Sequence, residues 1–193
     1  MVTDNHGECN MSSCQQLFDA GAMMDGVRLL GRRIAAHFAG TDRKIALVGI
    51  HQLGVKLAGL LHAELKNQGY DADLGMLDIT MYRDDIGTRS MLPRIHETVI
   101  PFDVNEKEIV LVDDVLSTGR TIRAALDALT DYGRPGVIRL AVLVDRGEPE
   151  FPIRADFAAF KVDLPAERKV LVNFEAVPGM EAGIFDVKWQ NKQ

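Results

Sequence analysis

The chain is predicted to form an α/β domain in which a mainly parallel, twisted sheet carries helices on both faces. Three observations lead there. Continuous apolar runs of strand length, at 44–50, 107–113 and 137–145, alternate with segments whose apolar residues recur at helical spacing. Breaks such as Gly69 and Gly133-Arg134-Pro135-Gly136 separate a helix from the strand that follows. The 193 residues, 47% of them hydrophobic, suffice for one substantial core, which predicts a single domain over 14–193 behind a flexible N-terminal extension at 1–13. In such a fold, ligands gather at the carboxyl ends of the strands.

Taken in order, 14–38 reads as an amphipathic helix with Met23, Val27, Leu30, Ile34 and Phe38 near a 3.6-residue spacing and an interruption around Gly21. A buried strand at 44–50 follows, then a helix at 53–68 stopped by Gly69 and an extended segment at 73–82. The polar, aperiodic stretch that begins at Arg83 and contains Gly87, Thr88, Arg89, Ser90 and Pro93 reads as a mobile loop over about 83–98. Loops of this kind beside a phosphate site commonly act as lids that exclude water. The strand at 107–113, the helix at 120–132 and the strand at 137–145 complete the core.

Composition narrows the setting. No apolar run approaches the roughly 18 to 20 residues of a membrane span, and the polar N-terminus lacks a basic start with an apolar centre, so the expectation is cytoplasmic. Cys9 and Cys14 give no disulfide framework, and with His6 they lack a fourth metal ligand. A formal charge of −6 is wrong for a protein whose main task is to coat nucleic acid. The densest basic cluster, Arg28, Arg32 and Arg33 on the first helix, reads either as a solvated face or as the one nucleus for RNA contact.

The most informative segment is VLVDDVLSTGRT, 110–121, a buried strand that runs into the start of a helix. A loop of this composition turns backbone N–H groups inward, and a helix start favours an anion, so a phosphate suits it. Gly119 permits the turn, Ser117, Thr118 and Thr121 add hydroxyls, and Arg120 opens the helix. Asp113 and Asp114 repel a phosphate but can accept hydrogen bonds from two ribose hydroxyls. The whole describes a sugar phosphorylated at one end. A Walker-type loop would need a wider glycine spacing and a lysine that are absent. Gly49, Ile50, His51, Gln52, Leu53 and Gly54 follow the first core strand and can turn amides toward a second anion, while Asp145, Arg146 and Gly147 end the strand beside the sugar site.

The segment resembles the 5-phosphoribosyl-1-pyrophosphate motif of the type I phosphoribosyltransferases. GMLDITMYRDD (75–85), GRPGVIRLAVLVDRG (133–147) and FPIRADF (151–157), taken with it, are similar to the PyrR family of pyrimidine operon attenuation regulators that are also uracil phosphoribosyltransferases. The resemblance implies the type I phosphoribosyltransferase fold with a small hood at about 145–175. It implies conversion of uracil and 5-phosphoribosyl-1-pyrophosphate into UMP and pyrophosphate. Asp113 and Asp114 would hold the ribose hydroxyls; Ser117, Thr118, Gly119, Arg120 and Thr121 the 5-phosphate; and Gly49, Ile50, His51, Gln52 and Gly54 the pyrophosphate, in a loop where family members often carry a cis peptide. Arg83 would close over the pyrophosphate, and Val144, Asp145, Arg146 and Gly147 would form the hood that recognises uracil. Asp113, Asp114 and Arg83 are the side chains expected nearest the chemistry. Magnesium would bridge pyrophosphate and ribose hydroxyls mostly through the substrate. A UMP-responsive contact with leader RNA and a homodimer or higher homo-oligomer are also implied.

Two departures from the family pattern stand out. Leu53 occupies a loop position where a donor to pyrophosphate is usual, and Ser117 replaces the usual tyrosine. The first leaves open a regulator with little catalysis. A hypoxanthine or guanine phosphoribosyltransferase is the other alternative, and it typically carries an acidic residue where Ser117 stands. For the assembly, Met23, Met24, Leu29, Leu30 and Phe38 cover more of the first helix than one core-facing stripe needs, which points to an interface.

Overall fold

The computed structural model describes residues 3–4, 7–8, 14–41, 44–84, 95–147 and 149–188. Within the N-terminal extension, Thr3–Asp4 (β1) pairs antiparallel with Gly7–Glu8 (β2); its other residues lie outside the described set. Gln15–Asp19 (β3) leads into helix Ala20–Phe38 (α1), followed by Ile45–Ile50 (β4), Leu53–Asn67 (α2), Ala72–Leu77 (β5) and a 3-10 turn at Thr80–Tyr82. Then come Glu108–Leu116 (β6), Arg120–Thr130 (α3), Val137–Asp145 (β7), Phe157–Lys161 (β8), Arg168–Asn173 (β9) and Gly183–Lys188 (β10).

The five central strands lie in the order β5-β4-β6-β7-β8, and every pair is parallel. Strand alternation explains why helices cover both faces. Leu47, Val110, Val112 and Leu143 point into a core with Leu30 and Ile34 of α1 and Leu57, Leu61 and Leu65 of α2. Ala46, Val48, Ile109, Leu111 and Val142 point the other way, onto Ile122, Ala125 and Leu129 of α3.

One sequence expectation is corrected here and another is narrowed. The first helix starts at Ala20 rather than near residue 14, because Asp19 stays extended and its carboxylate accepts the Ala22 N–H at 2.8 Å. That is an N-cap, and the stretch before it joins a second sheet. Most of the apolar residues that the first helix offers pack within the chain, while Leu29 is half-buried and belongs to no core cluster. Met23, Leu30 and Phe38 are buried and Met24 packs on the same core. A Cβ on Gly26 would lie 2.4 Å from Phe160 Cε2 and one on Gly31 would lie 2.4 Å from Glu64 Cγ, so α1 sits close on β8 and α2. Among the described residues the large exposed apolar side chains are Met81, Ile95, Tyr132 and Val177, none of them on α1.

The second sheet is antiparallel, in the order β3-β10-β9. It combines residues from both ends of the described chain. Arg168 Nε donates to the buried Asp186 at 2.5 Å across β9 and β10. At the amino ends of the parallel strands, far from the ligand side, Glu108 is 6% exposed and accepts from Arg139 Nε at 3.1 Å, with His37 Nε2 at 3.0 Å. Arg139 also donates to Asp156, whose other oxygen accepts the Leu140 N–H, and this network ties β6, β7 and the start of β8 together.

Candidate active site

β6 extends past both acids to Leu116, so Asp113 and Asp114 belong to the strand rather than to the turn after it. Alternation then separates them. Asp113 is 6% exposed, Asp114 is half-buried, and the Asp114 N–H donates to Asp113 Oδ1 at 3.0 Å. Burial, reinforced by the neighbouring charge of Asp114, pushes the Asp113 carboxyl well above the usual carboxylate range, while Arg83 pulls the other way. Arg83 therefore acts electrostatically on the acid pair from the end of the 3-10 turn.

After β6 the chain turns through Ser117 and Thr118 to Gly119, which adopts φ 87° and caps α3 without a side-chain hydrogen bond to the helix amides. Thr118 Oγ1 takes only the Arg120 N–H, at 3.4 Å. The first turn of α3 thus presents donors to an anion, in the manner expected for a sugar phosphate. The Arg120 guanidinium is employed differently. It donates to Asp84 at 2.7 Å and Glu150 at 2.5 Å and lies 5.6 Å from the centre of the Phe151 ring. It clasps the segment entering the predicted lid to the loop after β7.

Gly54 brings the 49–54 loop against Asp113, and Gly49 lets α2 close on the end of β4. A Cβ on Gly54 would meet the Val112 carbonyl oxygen at 2.4 Å and Asp113 Cα at 3.1 Å, and one on Gly49 would meet Val55 Cα at 2.6 Å. The first turn of α2 therefore presses directly on β6. The His51–Gln52 peptide is cis, and the His51 N–H donates to Leu77 O at 3.0 Å. Leu53, the departure from the family pattern, packs its side chain on the core beneath the loop.

Sequence reasoning missed Asp78 and His96. Asp78 Oδ1 accepts Thr80 Oγ1 at 2.5 Å and Thr80 N at 2.8 Å, its Oδ2 accepts His96 N at 2.5 Å, and its own N–H donates to Thr98 Oγ1 at 2.9 Å. Burial opposes ionisation of this carboxyl, but the hydrogen bonds from Thr80 and His96 outweigh it and hold the group below the usual range. The Asp-x-Thr spacing of DIT was the available signal, since Asp in this position closes a turn on its own backbone. Of the predicted mobile loop, 85–94 lie outside the described residues.

In the predicted hood, Val144 is buried and Asp145 Oδ1 accepts the Gly147 N–H at 2.9 Å. The Arg146 N–H donates to Leu116 O at 2.9 Å, and its buried guanidinium reaches the carbonyls of Leu164 at 3.3 Å and Pro165 at 3.4 Å. Arg146 thus ties the end of β7 to residues 164–165, and the Glu150 N–H donates to Thr118 O at 2.9 Å, which joins the loop after β7 to the turn before α3. The three arginines of α1 are exposed. Arg28 pairs with Asp25 at 2.5 Å and Arg33 donates to the Ala158 carbonyl at 2.5 Å. A cavity of about 260 Å³ beside Arg33 is also lined by Asp145, Arg154, Asp156 and Lys161.

A five-stranded parallel sheet whose central strand carries paired acids and runs on into a helix start defines the phosphoribosyltransferase class of protein, and residues 13–169 match the model of the phosphoribosyl transferase domain. The chain belongs to the PyrR family within that class. It is 46% identical over 175 residues to the bifunctional protein PyrR of Roseiflexus sp. (strain RS-1), covering 90% of this chain and 95% of that one. It is 47% identical over 165 residues to the bifunctional protein PyrR of Thermus thermophilus, covering 85% and 91%. A hypoxanthine phosphoribosyltransferase structure from Staphylococcus aureus superposes with a TM-score of 0.68 over 90% of this chain and 91% of that one. At 17% identity, that likeness is one of fold.

Proposed function

We propose that this chain transfers the 5-phosphoribosyl group of 5-phosphoribosyl-1-pyrophosphate to uracil, giving UMP and pyrophosphate. The observation that carries the reading is the contact of the glycine loop with the acid pair, Gly54 abutting Asp113 itself, on the strand that runs on into the uncapped start of α3. Membership of the PyrR family supports uracil as the acceptor rather than a purine.

The chemistry asks for positioning and charge control more than for a nucleophilic side chain. The C1–O bond to pyrophosphate breaks with the electron pair leaving on oxygen, uracil N1 bonds to C1, and the N1 proton is released. The α3 amides with Ser117, Thr118 and Thr121 hold the 5-phosphate, and the amides of the 49–54 loop hold the leaving group. Asp113 and Asp114 accept from the ribose hydroxyls, which fixes the anomeric carbon and supports positive charge developing on the sugar. Arg83 offsets charge on the pyrophosphate. Hood residues Val144, Asp145, Arg146 and Gly147 orient uracil, with Arg146 acting through the carbonyls it fastens.

The donor set suits magnesium brought in by the substrate. The hard carboxylate oxygens of Asp113 and Asp114 are the kind of donor that such an ion takes. When bound, the ion would neutralise pyrophosphate charge, with Asp113 and Asp114 within the set that would hold it. The test is product analysis with uracil, hypoxanthine, guanine and adenine side by side, with and without magnesium. UMP formed only with magnesium is expected; a purine nucleotide as the main product overturns the reading.

Relatives named bifunctional favour a second activity. We infer a UMP-responsive contact with leader RNA through Arg28, Arg32 and Arg33, made by a homodimer in the cytoplasm. Arg33 also closes the β8 edge, so Arg32→Glu is the cleaner probe. Loss of RNA retention on a filter with uracil turnover intact is expected, and unchanged retention returns the cluster to a solvated face. Light scattering that gives a 21.3 kDa species at micromolar concentration excludes the dimer.

A further inference from the structure

We propose that His96 is a pyrophosphate-positioning residue, acting beside His51 as a donor to the leaving group. The two imidazoles stack with centroids 4.8 Å apart and planes 12° apart, which puts His96 against the 49–54 loop although 45 positions separate the two in sequence (96 − 51). The proposal rests on the reading of that loop as the pyrophosphate site.

Three observations support it. The Nε2 of His96 is buried without a hydrogen-bond partner among the described residues, and buried polar atoms in a folded chain ordinarily have one, so this atom is open to a ligand. The residue is also held in place. Its N–H bonds to Asp78 at 2.5 Å, Asp78 is in turn fixed by Thr80 and Thr98, and the ring on the other side is seated on His51. Such support from a neighbouring layer is what a precise binding side chain requires. Finally, the loop is short of donors. Leu53 packs into the core, which leaves His51, Gln52 and the amides to meet a polyanion. His96, stacked on His51, meets the same loop and supplies what Leu53 does not.

A stack kept only for packing would behave differently, and one substitution separates the two. His96→Phe keeps an aromatic face for His51 but removes both ring nitrogens. Inorganic pyrophosphate with magnesium, titrated calorimetrically into the full chain, should bind about tenfold more weakly to His96→Phe, the equivalent of one charge-assisted hydrogen bond. The KM for the phosphoribosyl substrate should rise in parallel, with the KM for uracil and the thermal midpoint unchanged. His96→Gln, which restores a donor without an aromatic ring, should recover most of the affinity. If His96→Phe binds pyrophosphate as the parent does while His51→Ala binds it weakly, the loop reading stands and the role of His96 is overturned. If neither substitution weakens binding, the assignment of the loop to pyrophosphate falls with it.

Discussion

The amide of Asp114 donates to the carboxylate of Asp113 at 3.0 Å, so the buried acid of the pair is engaged by the strand that carries it. The two adjacent residues are unequal as a result. Asp113 sits in low dielectric and resists ionisation; Asp114 is only half-buried.

That inequality makes Asp113→Asn a stabilising change at neutral pH. A carboxyl whose folded pKa is raised makes the folded state bind the proton more tightly than the unfolded state does, so stability falls as pH climbs from the ordinary carboxylate range through the raised value. The amide has no proton to lose. Denaturant titrations across that range should show the variant's advantage growing with pH, and a pH-independent difference would contradict the burial argument.

Binding should show the opposite dependence. Ribose hydroxyls and magnesium need an ionised acceptor, so the ligand must expel the proton from Asp113, and affinity should rise with pH over the same window. Calorimetry in buffers of different ionisation enthalpy should detect proton release. Asp113→Asn should abolish that release and weaken binding by about one to two decades, as expected from loss of a charge-assisted bond of roughly 1.5–3 kcal/mol.

Arg120→Gln separates the side chain of the phosphate turn from its backbone. The guanidinium bridges Asp84 and Glu150 at the surface, and exposed pairs of this kind contribute little because solvent screens them. The thermal midpoint should hardly move. The KM for the phosphoribosyl substrate should rise severalfold, because the entry to 85–94 loses its anchor while the α3 amides remain. Unchanged KM would assign the clasp to surface packing alone.

Glu108→Ala should do the reverse. Its carboxylate accepts from Arg139 at 3.1 Å in a buried position at the amino ends of the strands. Removing it should cost about 1.5–3 kcal/mol of stability, the range for a hydrogen bond to a charged group. Turnover per folded molecule should stay as in the parent, and a drop in kcat at a temperature where the variant is fully folded would contradict this placement.

What the amino-acid sequence determined by itself is local. The strand at 137–145 has the predicted bounds, because a run apolar but for Arg139, between the Gly133-Arg134-Pro135-Gly136 turn and Asp145, admits little else. The second helix ends one residue before its predicted limit, at Asn67. The turn at Gly119 was legible for a similar reason, since its glycine and hydroxyls act through the backbone they bend. The tertiary structure decided what depends on partners far along the chain. Gln15–Asp19 is a strand because Gly183–Lys188 lies beside it, and no periodicity within five residues can outweigh a neighbour contributed by the other end. The acid pair was visible, but the split between its members came from the depth at which β6 runs under α2, where Gly54 touches Val112 and Asp113. Arg120 carries the right motif and a side chain directed elsewhere, because Asp84 and Glu150 reach it from two other loops. His96 bore no motif at all, and only the packing of its ring on His51 gives it a place in the site. Periodicity and turn chemistry act over a few residues, whereas burial, ion pairing and ring stacking depend on which distant segments the fold brings into contact.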